Sequence, residues 1–169
     1  LALDVVEDGY CPDLVTGIWR GGSPVAIAVH ETLCATGSDV AHGVVSASSY
    51  SAIEKQGEIV LSGLASLYER NAGVSRILLV DDVFDTGRTL EAVTNALSGL
   101  FGTALEIRIA TPYFKPKRNL TSLKPAYWRH ETESWLIFPH ELCGLSPEEL
   151  EGGKTDLDEV TLLRLRQNL

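Results

Sequence analysis

The stretch ILLVDDVFDTGRTL, residues 77–90, decides the fold. Ile77, Leu78, Leu79 and Val80 show no polar alternation, which is the pattern of a strand buried on both faces in a parallel sheet covered by helices. Asp81 and Asp82 end that strand, and Asp85 adds a third carboxylate within five positions. Thr86-Gly87-Arg88-Thr89 then opens a helical pattern carried by Leu90, Val93, Ala96 and Leu97. Strand, acidic turn and helix in this order predict carboxylates at the carboxyl end of a parallel strand, where open α/β sheets bind ligands.

Outward from this segment, strands and helices alternate. Leu14–Trp19 reads as a strand and Arg20-Gly21-Gly22 as a turn. A helix follows, with Ser23 as N-cap and Pro24 at the first helical position, running through Leu33 toward Gly37. His42–Ala47 reads as a second strand, followed by the polar stretch SSYSAIEKQGE at 48–58 and an extended Ile59-Val60-Leu61. Residues 63–72 look helical, 76–82 form the central strand, and Ala104–Pro112 forms another, with Leu105, Ile107 and Ile109 on one face. From Tyr113 the prolines and tryptophans imply short strands and loops beside the main sheet. Ser146-Pro147-Glu148-Glu149 is a capping box, and a last helix is expected over Asp156–Gln167. The pattern predicts a doubly wound α/β fold with a mainly parallel sheet.

At 169 residues the chain is expected to be one domain over 1–169, burying roughly two-thirds of its unfolded surface. Lys and Arg number 14 against 23 Asp and Glu, so nucleic acid and anionic membranes are disfavoured partners. Neither a membrane-length apolar run nor a leader pattern is visible, so a soluble, cytoplasmic protein is expected. Cys11, Cys34 and Cys143 lack CxxC spacing, and His30, His42, His130 and His140 are dispersed. The cysteines read as reduced thiols of a cytosolic protein. The opening LALDVVEDG reads as the last turns of a helix without a starting Met, leaving the N-terminus open to extension upstream.

The chemistry of the acidic turn follows from its donors and acceptors. Ionised aspartate only accepts, so adjacent carboxylates suit the vicinal hydroxyls of a sugar or a divalent cation bound to one. Behind them, Thr86 and Thr89 offer hydroxyls, Gly87 permits close backbone approach, and the free N–H groups of a helix start can cradle a phosphate. A sugar phosphate fits from both ends. The alternatives are an acidic turn beside an ordinary helix cap, or the paired aspartates of a receiver-like domain.

VDDVFDTGRTL also resembles the phosphoribosyl-pyrophosphate (PRPP) signature of type I phosphoribosyltransferases. Upstream, GIWRGGSPVA resembles their pyrophosphate loop, and HGVVSASSYS the strand and start of their flexible lid. Downstream, FKP and SWLIFPHE resemble the base-binding hood of the xanthine–guanine and related purine enzymes, here largely 113–145. The resemblance implies that Asp81 and Asp82 hold the ribose hydroxyls, with Asp82 the better candidate for Mg2+. Asp85, Thr86, Gly87, Arg88 and Thr89 would surround the 5′-phosphate, and Asp85 would face N7 of a 6-oxopurine as acid–base group. Arg20, Gly21 and Gly22 would take the pyrophosphate, behind a cis Trp19–Arg20 peptide. Lys115 would donate to the 6-oxo group, with Lys117 and Lys124 nearby as alternatives. Trp135 would stack on the base while the Leu136 backbone reads its edge, and Ser49-Tyr50 would belong to the lid. Glu141 stands where relatives usually carry an Asp near the metal, one methylene longer.

The implied activity is Mg-dependent transfer of the phosphoribosyl group from PRPP to hypoxanthine, guanine or xanthine in purine salvage. The products would be a nucleoside 5′-monophosphate and pyrophosphate, with no organic cofactor. A homo-oligomer, dimer or tetramer, is expected. The alternatives are a transferase for another base such as adenine, or a PRPP-sensing regulator on the same fold. The acidic composition, without a basic face, speaks against the regulator.

Overall fold

The computed structural model describes residues 1–49 and 59–142 and the single positions 146, 148, 149, 152 and 161. Two compact units divide the chain, 1–133 and 134–169. In chain order the first contains α1 (Ala2–Glu7), β1 (Leu14–Trp19), α2 (Gly22–Ala35), β2 (Ala41–Ser49), β3 (Ile59–Ser62), α3 (Leu64–Arg70), β4 (Arg76–Val80), β5 (Val83–Phe84), α4 (Arg88–Phe101), β6 (Glu106–Phe114) and β7 (Tyr127–Glu131).

Among the described residues, seven strands form one sheet in the order β3-β2-β1-β4-β6-β5, with β7 also paired to β6. Every pairing is parallel except β2 with β3. The apolar run of β4 explains why the sheet is covered on both sides. Ile77, Leu78, Leu79 and Val80 are fully buried. Leu78 and Val80 pack with Val15, Val29 and Leu33 on one face, while Ile77 and Leu79 pack with Leu67, Leu90, Val93 and Leu97 on the other. Each such side chain contributes about 1.5–3 kcal/mol of transfer free energy, so α1 and α2 are held to one face and α3 and α4 to the other. Leu105 and Ile107 pack with Ile109 on the α4 side, as their alternation predicts.

Polar contacts fix the ends of these strands. Asp13 accepts hydrogen bonds from the backbone N–H groups of Ser75 (3.0 Å) and Arg76 (2.9 Å) and from the Arg76 guanidinium (3.0 Å), tying the starts of β1 and β4 together. Arg108 lies 4.2 Å over the Tyr10 ring and pairs with Asp8, while the Tyr127 hydroxyl accepts from Arg108 and donates to Asp8. These contacts join α1 to β6 and β7.

Local boundaries differ from the sequence reading at several places: the strand expected over 104–112 runs over Glu106–Phe114, and the helix expected over 63–72 covers Leu64–Arg70. The helix expected to start after a Ser23 cap begins at Gly22, with Gly21 at the N-cap and no side-chain cap. Pro24 fits one turn in because the first N–H groups of a helix have no intrahelical partner. The strand expected over 76–82 ends at Val80, and Val83-Phe84 forms a separate strand on β6. The strand expected over 42–47 extends to Ala41–Ser49. By contrast, the opening segment is helical as read.

In the second unit the Phe138 and His140 rings stack with centroids 5.4 Å apart. The expected capping box is present: Ser146 N–H donates to the Glu149 carboxylate (2.8 Å) and Glu149 N–H to Ser146 Oγ (3.2 Å). The helix expected over 156–167 falls outside the described residues apart from position 161. No helix among the described residues is long and apolar enough to cross a membrane.

Candidate active site

Because β1, β4 and β6 run parallel, the turns that follow them leave the sheet at one edge. Arg20-Gly21-Gly22 follows β1, residues 81–87 follow β4, and 115–121 follows β6. The parallel β2 brings Ser49 to the same edge, whereas Tyr50 falls outside the described residues.

The first two turns touch. A Cβ on Gly22 would stand 2.5 Å from the Val80 carbonyl oxygen and 2.8 Å from Asp81 Cα, and one on Gly21 would overlap the Asp82 carboxylate. Only glycines allow this approach, and it sets Gly21 directly against Asp82. The Trp19–Arg20 peptide is cis, as the family resemblance implies. Arg20 is exposed at the rim.

Asp82 is buried, at 8% exposure, and Asp81 is partly buried, with Oδ1 3.0 Å from the side-chain position of Gly22. The Asp82 backbone N–H donates to Asp81 Oδ1 at 3.0 Å. Burial, followed by the adjacent Asp82 charge, pushes the Asp81 carboxyl well above the usual carboxylate range. Adjacent carboxyl oxygens of this kind can accept from sugar hydroxyls or share a cation. Among the described residues no group of three or more His, Cys, Asp or Glu could hold a metal ion. Mg2+ commonly uses one or two carboxylates, with water and substrate phosphate oxygens completing its octahedron. Asp82 with Asp81 fits that mode and would not hold a metal through the chain alone.

The turn at 85–87 enters α4 through Gly87, whose φ of +79° is left-handed and whose side-chain position is filled by its neighbours. A Cβ there would lie 2.6 Å from Thr121 Oγ1 and 2.9 Å from Asn119 Oδ1. The start of this 14-residue helix has no side-chain cap, so its first N–H groups are available to an anion. A cavity of about 170 Å3 opens there, lined by Asp81, Asp82, Asp85, Thr86, Gly87 and Thr89 among others. It is below the size of a whole-ligand pocket and suits a phosphoryl group with part of a sugar. Arg88, at the first helical position, is exposed.

Lys115 completes the edge. It is buried, at 2% exposure, and its Nζ stands 3.1 Å from Asp85 Oδ2. Among the three lysines weighed from the sequence, it is the one paired with Asp85. Lys117 is exposed, with its backbone N–H donating to Glu133 (3.2 Å), and Lys124 lines a separate cavity with Asp8 and Tyr127. The sequence reading missed Arg118, whose Nε lies 2.6 Å from Asp85 Oδ1. Trp135, Leu136 and Glu141 belong to the second unit, where the Glu141 carboxylate accepts the Phe138 backbone N–H at 3.1 Å.

Two larger cavities are lined by none of Asp81, Asp82 and Asp85. One of about 400 Å3 is bordered by the Asp8–Arg108–Tyr127 cluster, whose polar groups already pair. The other, about 680 Å3 between α2 and α3, is mainly apolar.

A family model described as phosphoribosyl transferase domain matches residues 1–143. A purine phosphoribosyltransferase structure from Pyrococcus horikoshii is 30% identical, with 86% of this chain and 87% of that one covered and a TM-score of 0.64. A Helicobacter pylori xanthine-guanine-hypoxanthine phosphoribosyltransferase is 20% identical over 81% of this chain and 84% of that one, TM-score 0.62. A Trypanosoma cruzi hypoxanthine phosphoribosyltransferase in complex with its product IMP is 20% identical over 78% and 69%, TM-score 0.54. No curated protein sequence matches the chain.

Proposed function

The chain belongs to the phosphoribosyl transferase domain family, and from that premise we propose that it transfers the 5-phosphoribosyl group of PRPP to a 6-oxopurine, releasing pyrophosphate and a nucleoside 5′-monophosphate. The observation that carries the choice of base is the Asp85–Lys115 pair, a buried cation 3.1 Å from a carboxylate beside the phosphate cavity. A 6-oxopurine presents a carbonyl acceptor at C6 next to N7. Lys115 offers only donors and ionised Asp85 only acceptors, so the two can address those adjacent atoms. The purine and hypoxanthine phosphoribosyltransferases among the similar structures support the same reading.

In this reading, amides at the start of α4 and the hydroxyls of Thr86 and Thr89 hold the 5′-phosphate, and Arg88 adds charge at the rim. Asp81 and Asp82 hold the ribose hydroxyls, and the Asp82 charge favours positive charge developing on the ribose as the bond to pyrophosphate breaks. Gly21 and Gly22 admit the pyrophosphate against the chain, where Arg20 meets it. Asp85 manages the proton at N7 while Lys115 fixes the 6-oxo group. Mg2+ on Asp82 would neutralise charge on the departing pyrophosphate. Ser49, at the end of β2, would belong to a lid that excludes water.

The test is the purified protein with PRPP and Mg2+ against hypoxanthine, guanine, xanthine and adenine in turn, followed by product chromatography. Nucleotide is expected from at least one 6-oxopurine, little from adenine, and none after chelation of divalent cations. Equal turnover of adenine would overturn the choice of base. PRPP binding without turnover of any base would favour the regulatory alternative.

A further inference from the structure

We infer that Arg118 is a positioning residue for Asp85, holding the carboxylate in place while Lys115 turns to the incoming base; the inference rests on the transferase reading above. Lys115-Pro116-Lys117-Arg118 closes as a tight turn, with the Arg118 backbone N–H donating to the Lys115 carbonyl at 3.1 Å. Proline in the second position is favoured in such turns. The turn places the side chains of its first and fourth residues on one carboxylate, Lys115 Nζ at 3.1 Å from Oδ2 and Arg118 Nε at 2.6 Å from Oδ1. The segment also grips the backbone around Asp85: Lys115 N–H donates to the Phe84 carbonyl and Leu120 N–H to the Thr86 carbonyl, both at 2.9 Å.

The two cations are not equivalent. Lys115 is buried and Arg118 is half exposed. Asp85 Oδ1 is itself buried but accepts no aligned hydrogen bond among the described residues, despite the nearby Arg118 charge. It is an acceptor with a lone pair still unspent, as an N–H of a bound purine requires. Once a 6-oxo group draws Lys115 away from Oδ2, Arg118 is the cation left on Asp85. Without it the carboxylate would face the base with neither orientation nor compensation.

A double-mutant cycle tests this, with catalytic efficiency (kcat/KM) for the base measured at saturating PRPP and PRPP affinity measured by calorimetry. An ion pair whose cation is half exposed is worth roughly two- to fivefold. Arg118→Ala should lower kcat/KM for the base by that factor and change PRPP affinity less than about twofold. Introduced into Asp85→Asn, it should cost less than about twofold further, because its target is gone. Arg118→Lys should recover part of the loss. Where Arg118→Ala depresses the thermal midpoint, Arg118→Gln takes its place in the cycle. Equal losses on both backgrounds, a parallel loss of PRPP affinity, or no loss at all would overturn the inference while parent turnover leaves the transferase reading standing. A parent inactive on every 6-oxopurine would overturn both.

Discussion

Adding one methyl group at two glycines should have opposite effects. At Gly22 the new carbon would stand 2.5 Å from the Val80 carbonyl oxygen, about 0.9 Å short of the 3.4 Å where ordinary contact begins, and 2.8 Å from Asp81 Cα. Neither neighbour is a flexible tip: Val80 ends a strand paired with β1 and β6, and the Asp81 N–H is bonded to the Ala110 carbonyl at 3.2 Å. The Arg20–Gly22 turn must therefore lift from Asp81. Overpacking of this kind costs about 1–3 kcal/mol, and a displacement near 1 Å among groups that position a substrate costs on the order of a hundredfold in rate. Gly99 lies inside α4 with open space at its Cβ position, so Gly99→Ala should stabilise by about 0.5–1 kcal/mol. Urea unfolding and kcat/KM for PRPP measure both effects. A Gly22→Ala protein with the parental midpoint and parental kcat/KM would show that the turn yields freely, and the argument from close approach would fail.

Asp85→Asn keeps the shape of the side chain and removes its charge, so turnover should fall by about a hundredfold to ten-thousandfold while PRPP binding persists in calorimetry; an active variant would remove the acid–base role. Lys115→Met should cut kcat/KM for the oxopurine far more than PRPP affinity and should narrow the preference over adenine, with an unchanged preference ruling Lys115 out as the reader. Asp81 has a folded-state carboxyl raised by burial and by Asp82, so its penalty is absent below the ordinary carboxylate pKa of 3.8 and grows as pH rises toward the raised value. In metal-free buffer Asp81→Asn should therefore be more stable than the parent at neutral pH, the gap closing as pH falls toward 3.8; a constant gap would refute this.

The central strand and its acidic turn were legible because they depend on short-range patterns. Four consecutive apolar residues buried on both faces leave few alternatives to a parallel sheet. Likewise, the chemistry of Asp81, Asp82 and Asp85 is compressed into one turn. Local detail was less legible: Val83-Phe84 is too short to announce a strand, and it exists because β6 continues past Val80 to accept it. Ser23 and Pro24 read as a cap and a first turn, yet the helix starts earlier because Gly21 and Gly22 can approach Asp82 and Val80. Arg118 was missed although its signal was present, a proline turn whose first and fourth residues share a side. Lys117 and Lys124 lie close to Lys115 in sequence, so the spacing alone does not single out the partner of Asp85.

The grip of residues 115–121 on 84–87 has a consequence for redesign. The segment carrying the proposed base reader also packs Thr121 and Asn119 against Gly87 and bonds the Thr86 carbonyl. Exchanging it for a loop with another base preference would therefore loosen the proposed phosphate cradle too. Altered specificity obtained by such grafts should arrive together with weaker PRPP binding. Single-residue changes at 115 and 118, which leave the Leu120 and Thr121 contacts in place, are the route that separates the two properties.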